Sequence, residues 1–190
     1  MADLIKEIIK ESIRVKEAVL QKMSKQIKTA SGMIAVTLKK GGKVILFGNG
    51  GSAADSQHIA AEFVGRFKLE RQGLAAVALT TNTSIITSIA NDYGYEEIFS
   101  RQMEAVGSDD DMVIGISTSG NARNVIAGLL EAKKMGLKTI ALTGSGGGEM
   151  ATIADLALIV PSDNTARIQE AHIVIGHIIC ELAEQNLFGK

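Results

Sequence analysis

Five short apolar runs, separated by segments of helical periodicity, constrain this chain more than any other feature. They span Lys43–Phe47, Ala75–Leu79, Met112–Ile116, Thr139–Leu142 and Leu156–Val160. Their residues are largely continuous Val, Ile, Leu and Ala, the pattern of strands buried on both faces. The segments Ala53–Phe67, Thr83–Asn91, Tyr95–Val106, Ala122–Met135 and Ala166–Asn186 carry apolar residues at helical spacing. Strands that alternate with helices build a parallel sheet covered on both faces. The expected class is therefore α/β, a three-layer αβα sandwich with a five-stranded parallel sheet. Ahead of this pattern, Leu4 to Leu38 reads as two helices broken near Ser31-Gly32. This N-terminal extension, residues 1–40, has an apolar face that includes Ile5, Ile8, Ile9, Ile13, Val19, Leu20 and Met23. Such a face can cover its own sheet or build a subunit contact, and oligomerisation is the expected use.

The 190 residues contain one proline, Pro161, and no linker-like tract, so 1–190 reads as a single domain. A hydrophobic content of 46% is enough for a full core. Net charge is −1 with acids and bases interspersed, so nucleic acid is not an expected partner. The lone Cys180 lies in an apolar helical run and excludes a disulfide framework. The start, Met1-Ala-Asp-Leu-Ile-Lys-Glu, is unlike a secretory signal, and no apolar run approaches the ~20 residues that cross a bilayer. A soluble, cytoplasmic protein with no membrane partner is expected.

Two loops carry the functional signal. The first apolar run opens into Gly48-Asn49-Gly50-Gly51-Ser52, and a helix begins at once. A helix N-terminus fed by a Gly/Ser loop presents unpaired N–H groups and a positive dipole end, a seat for an anion such as phosphate. The loop is neither a P-loop nor a dinucleotide fingerprint, and an ordinary βα turn would look similar. The second loop, Ser117-Thr118-Ser119-Gly120-Asn121, places three hydroxyls in succession at another strand's end. Ligands in open parallel sheets bind at the carboxyl ends of strands, where two such loops can converge. Ser119 or Asn121 can also cap the helix that follows. Gly144 to Gly148 reads as a flexible βα connection in preference to a third ligand loop.

Past the first loop, His58 and Glu62 are four residues apart and share one helical face. On the last helix, His177 lies about 80° from Gln169, whereas His172 lies about 140° from His177. His172 reads as a core residue. His58, Glu62, Gln169 and His177 can form a polar cluster suited to acid–base work or to holding a divalent metal through nitrogen and oxygen.

The runs Gly-Asn-Gly-Gly-Ser at 48–52, Gln-His-Ile-Ala-Ala-Glu at 57–62, Ile-Ser-Thr-Ser-Gly-Asn at 116–121, Ala-Leu-Thr-Gly at 141–144 and Ala-Arg-Ile-Gln-Glu at 166–170 resemble the sugar isomerase (SIS) domain family. Within it the chain is similar to the phosphoheptose isomerase group, over nearly its full length. The resemblance implies a flavodoxin-like sheet and a cytoplasmic homotetramer that binds Zn2+. It also implies conversion of D-sedoheptulose 7-phosphate to D-glycero-D-manno-heptose 7-phosphate, the first step toward ADP- or GDP-heptose and the heptose of lipopolysaccharide. By position, Ser52, Ser117, Thr118 and Ser119 would bind the phosphate, and Asn49 and Asp92 the sugar hydroxyls. Gly50, Gly51, Glu62, Asn91, Asn121 and Gln169 would complete the substrate contacts. His58, Glu62, Gln169 and His177 would gather around zinc, with Glu62 and His177 as the acid–base pair. Some members carry Asp just before the Arg-Ile-Gln-Glu run where Ala166 stands here, so any contact from that position is missing or supplied elsewhere. The alternatives are a non-catalytic SIS protein of the DnaA initiator-associating type, which acts through protein–protein contacts, and a sugar-phosphate-sensing module. The former lacks the acid–base residues found here at 62 and 177.

Overall fold

The apolar runs form the strands β1 (Val44–Gly48), β2 (Ala76–Ala78), β3 (Met112–Ser117), β4 (Lys138–Thr143) and β5 (Leu156–Ile159) in the computed structural model, which describes residues 2–189. All neighbours pair in parallel, in the order β2-β1-β3-β4-β5. This is the flavodoxin-like order, in which successive connections leave in opposite directions from β1 and β3. The helices are α1 (Ala2–Lys39), α2 (Gly51–Val64), α3 (Thr83–Asp92), α4 (Ser100–Val106), α5 (Arg123–Lys134), α6 (Met150–Ile153) and α7 (Thr165–Phe188).

Because strand side chains alternate between faces, each strand supplies two cores. Val44, Leu46, Met112, Ile114, Ile140 and Leu142 face α1, α2 and α7, where they meet Ile27, Ile34, Phe63, Ile168 and Ile175. Ile45, Phe47, Val113 and Ala141 face the other way, onto Phe99, Met103, Val125, Leu129 and Met150. Phe47 and Phe99 stack there with ring centroids 4.9 Å apart. Every residue of β1 and β3 is buried, which is why their sequences show no polar alternation.

The N-terminal extension corrects the expectation of two helices. It is one continuous helix, and Ser31-Gly32 does not break it. A glycine costs a helix about 1 kcal/mol against alanine. Burial of Ile27, Ala30 and Ile34 on α7 and the sheet outweighs that penalty, since each large aliphatic residue contributes about 1.5–3 kcal/mol. Residues 3–10 are all exposed, which leaves Leu4, Ile5, Ile8 and Ile9 uncovered. The segment expected as one helix at Tyr95–Val106 is a 3-10 turn, Tyr95–Glu97, followed by α4. Its periodicity misleads because Ile98 and Phe99, between the two pieces, are themselves pulled into the core.

His172 is fully buried on α7, and its Nε2–H donates to the Thr143 carbonyl at 3.1 Å. Burial pushes its pKa down from 6.5 to about 4, against the opposing hydrogen bond to Thr143. The unfolded chain therefore takes up a proton that the folded chain refuses. This contribution to stability is present above pH 6.5 and is lost as pH falls toward 4, on the order of 3 kcal/mol in all. His172→Gln keeps a donor to Thr143 but cannot titrate. Urea unfolding at pH 7 and at pH 4.5 should show a smaller loss of stability in the variant than in the parent. An equal loss in both would remove His172 from the acid response.

Candidate active site

β1 and β3 lie side by side with Gly48 opposite Ile116, so the loops that leave them emerge together at the sheet's switch point. The two helices that follow lack side-chain caps: neither Gly50 before α2 nor Ala122 before α5 makes one. By contrast, Asn82 caps α3 and Asn164 caps α7. No side chain blocks either N-terminus, and the two dipoles converge there, although on α2 the Ser52 and Ala53 N–H groups bond back to the Asn49 and Gly50 carbonyls at 3.0 and 3.1 Å. Neither Ser119 nor Asn121 serves as a cap. Ser119 Oγ instead accepts from the Asn121 N–H at 3.2 Å and lies 3.4 Å from Ser117 Oγ. Ser52 and Ser117 are buried, Thr118 is half-buried and Ser119 is exposed, so the hydroxyls grade from floor to rim.

The loop Gly144–Gly148 is packed rather than free. A Cβ on Gly120 would fall 2.0 Å from the Gly147 carbonyl oxygen, so only glycine permits this approach. Asn121 Oδ1 accepts from the Glu149 N–H at 3.0 Å, while its Nδ2 donates to the Ser119 carbonyl. Asn121, expected at the substrate, is thus engaged in bracing the serine loop. Asn91 and Asp92 end α3, exposed and hydrogen-bonded to each other at 2.8 Å.

α2 and α7 pack with their chains running in the same direction. A Cβ on Gly51 would meet Gln169 Nε2 at 2.5 Å, and one on Gly176 would meet Ile59, so both contacts rely on a missing side chain. This seam brings together His58, Glu62 and His177, whose ligand atoms all lie within 4.8 Å of one another. His58 Nε2 is 2.8 Å from His177 Nε2 and 3.3 Å from Glu62 Oε1. Gln169 lies farther back along the seam, with its amide over Gly51. His172 stays apart, in the core.

A second set of residues, with no local sequence signal, holds this arrangement. Glu184 accepts the N–H groups of Phe67, Lys68 and Leu69 at 2.8–3.0 Å, and Arg71 Nε at 2.8 Å. Burial works to raise the Glu184 pKa, but these donors outweigh it and hold the carboxyl below the usual range. The Arg71 guanidinium in turn binds the carbonyls of Glu62 and Phe63. The pinned turn sets the Phe67 ring 5.4 Å from the His177 ring. Glu184 is 113 residues from Arg71, too far for spacing to have revealed the pair.

Two imidazole nitrogens and a carboxylate oxygen converging on one point suit a divalent metal of the zinc type. A further observation fits a cation. Asp55 lies one turn before His58, its Oδ2 is buried without a hydrogen-bond partner, and burial pushes its carboxyl up to about 6 against the pull of His58. Positive charge in the seam would relieve that cost.

The SIS domain family matches residues 8–144. A phosphoheptose isomerase from Aquifex aeolicus is 56% identical over 185 residues, 97% of each chain. Among solved structures, the phosphoheptose isomerase of Neisseria gonorrhoeae superposes with a TM-score of 0.92 at 42% identity, covering 97% of this chain and 98% of that one. The enzyme from Francisella tularensis gives 0.94 at 37% identity with the same coverage. With its sheet order, its paired loops and these relatives in agreement, the chain belongs to the SIS domain family and, within it, to the phosphoheptose isomerases.

Proposed function

We propose that the chain isomerises D-sedoheptulose 7-phosphate to D-glycero-D-manno-heptose 7-phosphate through an ene-diol, the first step toward a nucleotide-activated heptose. One observation carries the reading. A His–Glu–His group stands in the α2–α7 seam, and the same α2 begins at one of two uncapped helix N-termini. The anchored phosphate orients the open-chain sugar, and the cluster acts on its carbonyl end.

Aldose–ketose isomerisation moves a proton between C1 and C2 and shuttles protons on the two oxygens. Glu62 is the base that takes the carbon-bound proton and returns it to the neighbouring carbon. His177, with the Phe67 ring beside it, moves the proton on oxygen. Ser52, Ser117, Thr118 and Ser119 hold the phosphate, and Asp92 the sugar hydroxyls. His58, Glu62, Gln169 and His177 would hold Zn2+, which when bound polarises the substrate's carbonyl and hydroxyl oxygens. No observation favours the non-catalytic alternative.

We also propose a homotetramer acting in the cytoplasm and serving lipopolysaccharide heptose. Uncovered Leu4, Ile5, Ile8, Ile9 and Ile13 on α1 support assembly. So does an apolar groove of about 720 Å³ between α1 and α7, lined by Val19, Leu20, Ile27, Val174, Ile178 and Leu182. Cys180 is buried with its pKa pushed up to about 12 by desolvation, an inert thiol consistent with that compartment. Among the described residues no helix is long and apolar enough to cross a membrane.

NMR of the purified protein with sedoheptulose 7-phosphate tests the reaction. Glu62→Gln should lower kcat by about 10²–10⁴ while leaving phosphate binding intact. Near-parental turnover would exclude Glu62 as the base. Ser119→Ala should raise KM by about 10-fold with little change in kcat, since a lost hydrogen bond to a charged group is worth about 1.5–3 kcal/mol. An unchanged KM would take Ser119 out of phosphate binding. Metal-stripped protein should bind about one equivalent of Co2+ per chain, with visible absorption of four- or five-coordinate cobalt, and His58→Ala should lose that signal. Retention of the signal in His58→Ala would refute the metal assignment.

A further inference from the structure

The side chain of Asn49 does not stand free beside the sugar site. Its Nδ2–H donates to Asn124 Oδ1 at 2.8 Å, and Asn124 Nδ2–H donates back to Asn49 Oδ1 at 2.9 Å. The Tyr95 hydroxyl adds a second donor to the same Asn49 oxygen at 3.0 Å. A carboxamide has two acceptor lone pairs and two N–H donors. Both lone pairs of Asn49 are therefore occupied, as is one of its N–H groups. A single N–H is left.

We propose that Asn124 is a positioning residue for substrate binding. Its reciprocal amide pair with Asn49 locks the loop after β1 to the start of α5 and aims the remaining Asn49 N–H at an acceptor oxygen of the sugar phosphate. Asn124 does not touch the substrate: it is 3% exposed, in the first turn of α5, on the side of that helix that also buries Val125. Both of its bonds to Asn49 tie the loop after β1 to the first turn of α5. Tyr95 is the third member. It is 57% exposed and opens the 3-10 turn that follows Gly94, whose φ is 101°. Through Tyr95 the same amide pair ties in the corner that carries Asn91 and Asp92.

Three segments far apart in sequence are thus joined at one amide pair, and each carries expected substrate contacts. The pair also sets polarity. With its carbonyl saturated, Asn49 can recognise an acceptor such as a phosphoryl, carbonyl or hydroxyl oxygen, but it cannot accept a hydrogen bond from the sugar. Asn124 is invisible to motif reading because it looks like one more polar residue after Ser-Gly-Asn.

The inference rests on the reading that the two loops hold the sugar phosphate, and a double-mutant cycle separates the two claims. Asn124→Ala and Asn49→Ala should each raise KM for sedoheptulose 7-phosphate by about 10-fold, with kcat changed by less than about 3-fold and Co2+ affinity unchanged. In the Asn49→Ala background, Asn124→Ala should add less than about 2-fold, because its effect runs through the residue already removed. Tyr95→Phe, which loses one exposed neutral hydrogen bond, should raise KM by about 2–5-fold. Asn124→Leu fills the space without polar groups and should reproduce the Asn124→Ala effect, because the amide pair and not the packing is lost; a parental KM in Asn124→Leu would assign the Asn124→Ala effect to its cavity and overturn the positioning role. Additive effects in the cycle, or an unchanged KM in both Asn124 variants, would overturn the positioning role. If Ser119→Ala also leaves KM unchanged, the phosphate reading itself fails, and this inference with it.

Discussion

The parallel pairing of β1 with β3 is the constraint on which the site depends. Five residue pairs, Val44–Met112 through Gly48–Ile116, fix the two strands in register. Because the connections from them leave in opposite directions, no other strand lies between the Gly48–Ser52 loop and the Ser117–Asn121 loop. Two helix N-termini are then forced to the same edge of the sheet, and neither carries a side-chain cap. A one-residue slip of β3 would turn Val113 and Met112 to the wrong faces and displace the hydroxyls along the strand. The two buried cores oppose such a slip, so the packing that stabilises the sheet also sets the spacing of the two loops.

The polar cluster depends on a different contact, the α2–α7 seam. Small residues allow it: Gly51 admits Gln169, and Gly176 admits Ile59. At its far end Glu184 and Arg71, each only 1% exposed at the side chain, hold the turn after α2 through backbone donors and carbonyls. Removing one partner of such a pair typically costs 3–5 kcal/mol, because the other charge stays buried. The pair therefore anchors the end of the helix that bears Glu62 and the ring that leans on His177. The geometry of the His58, Glu62 and His177 group is thus braced by residues outside it.

The long α1 has a divided character. From Val15 onward it buries Val15, Val19, Met23, Ile27 and Ile34 in the core, whereas its first turns expose their apolar residues. Polar contacts hold the N-terminal turns to α7: Arg167 donates to the Ile8 carbonyl at 2.8 Å, and Ser12 donates to Glu170 at 2.6 Å. Arg167 and Glu170 flank Gln169 on α7, so the surface offered by α1 is mechanically linked to the start of the site helix.

Several features were legible in the residues alone. Strand positions followed from continuous aliphatic runs, the parallel sheet from their alternation with helices, and the places of the two strand-end loops from their Gly and Ser clusters. The pairing of His58 with Glu62 followed from helical spacing, and the core character of His172 from its angle to His177. These are local properties, set by period and composition within one element. The continuity of α1 through Gly32, the break inside 95–106, and the role of Gly144–Gly148 as packing for the serine loop were not legible. Nor were the Asn49–Asn124–Tyr95 junction and the Glu184–Arg71 clamp. Each depends on what a residue meets from a distant part of the chain, where burial outweighs propensity and a hydrogen-bond partner lies tens of residues away. Sequence determined which chemical groups exist and on which elements they ride; only the packing of α2 against α7 and of β1 beside β3 decided which of them meet.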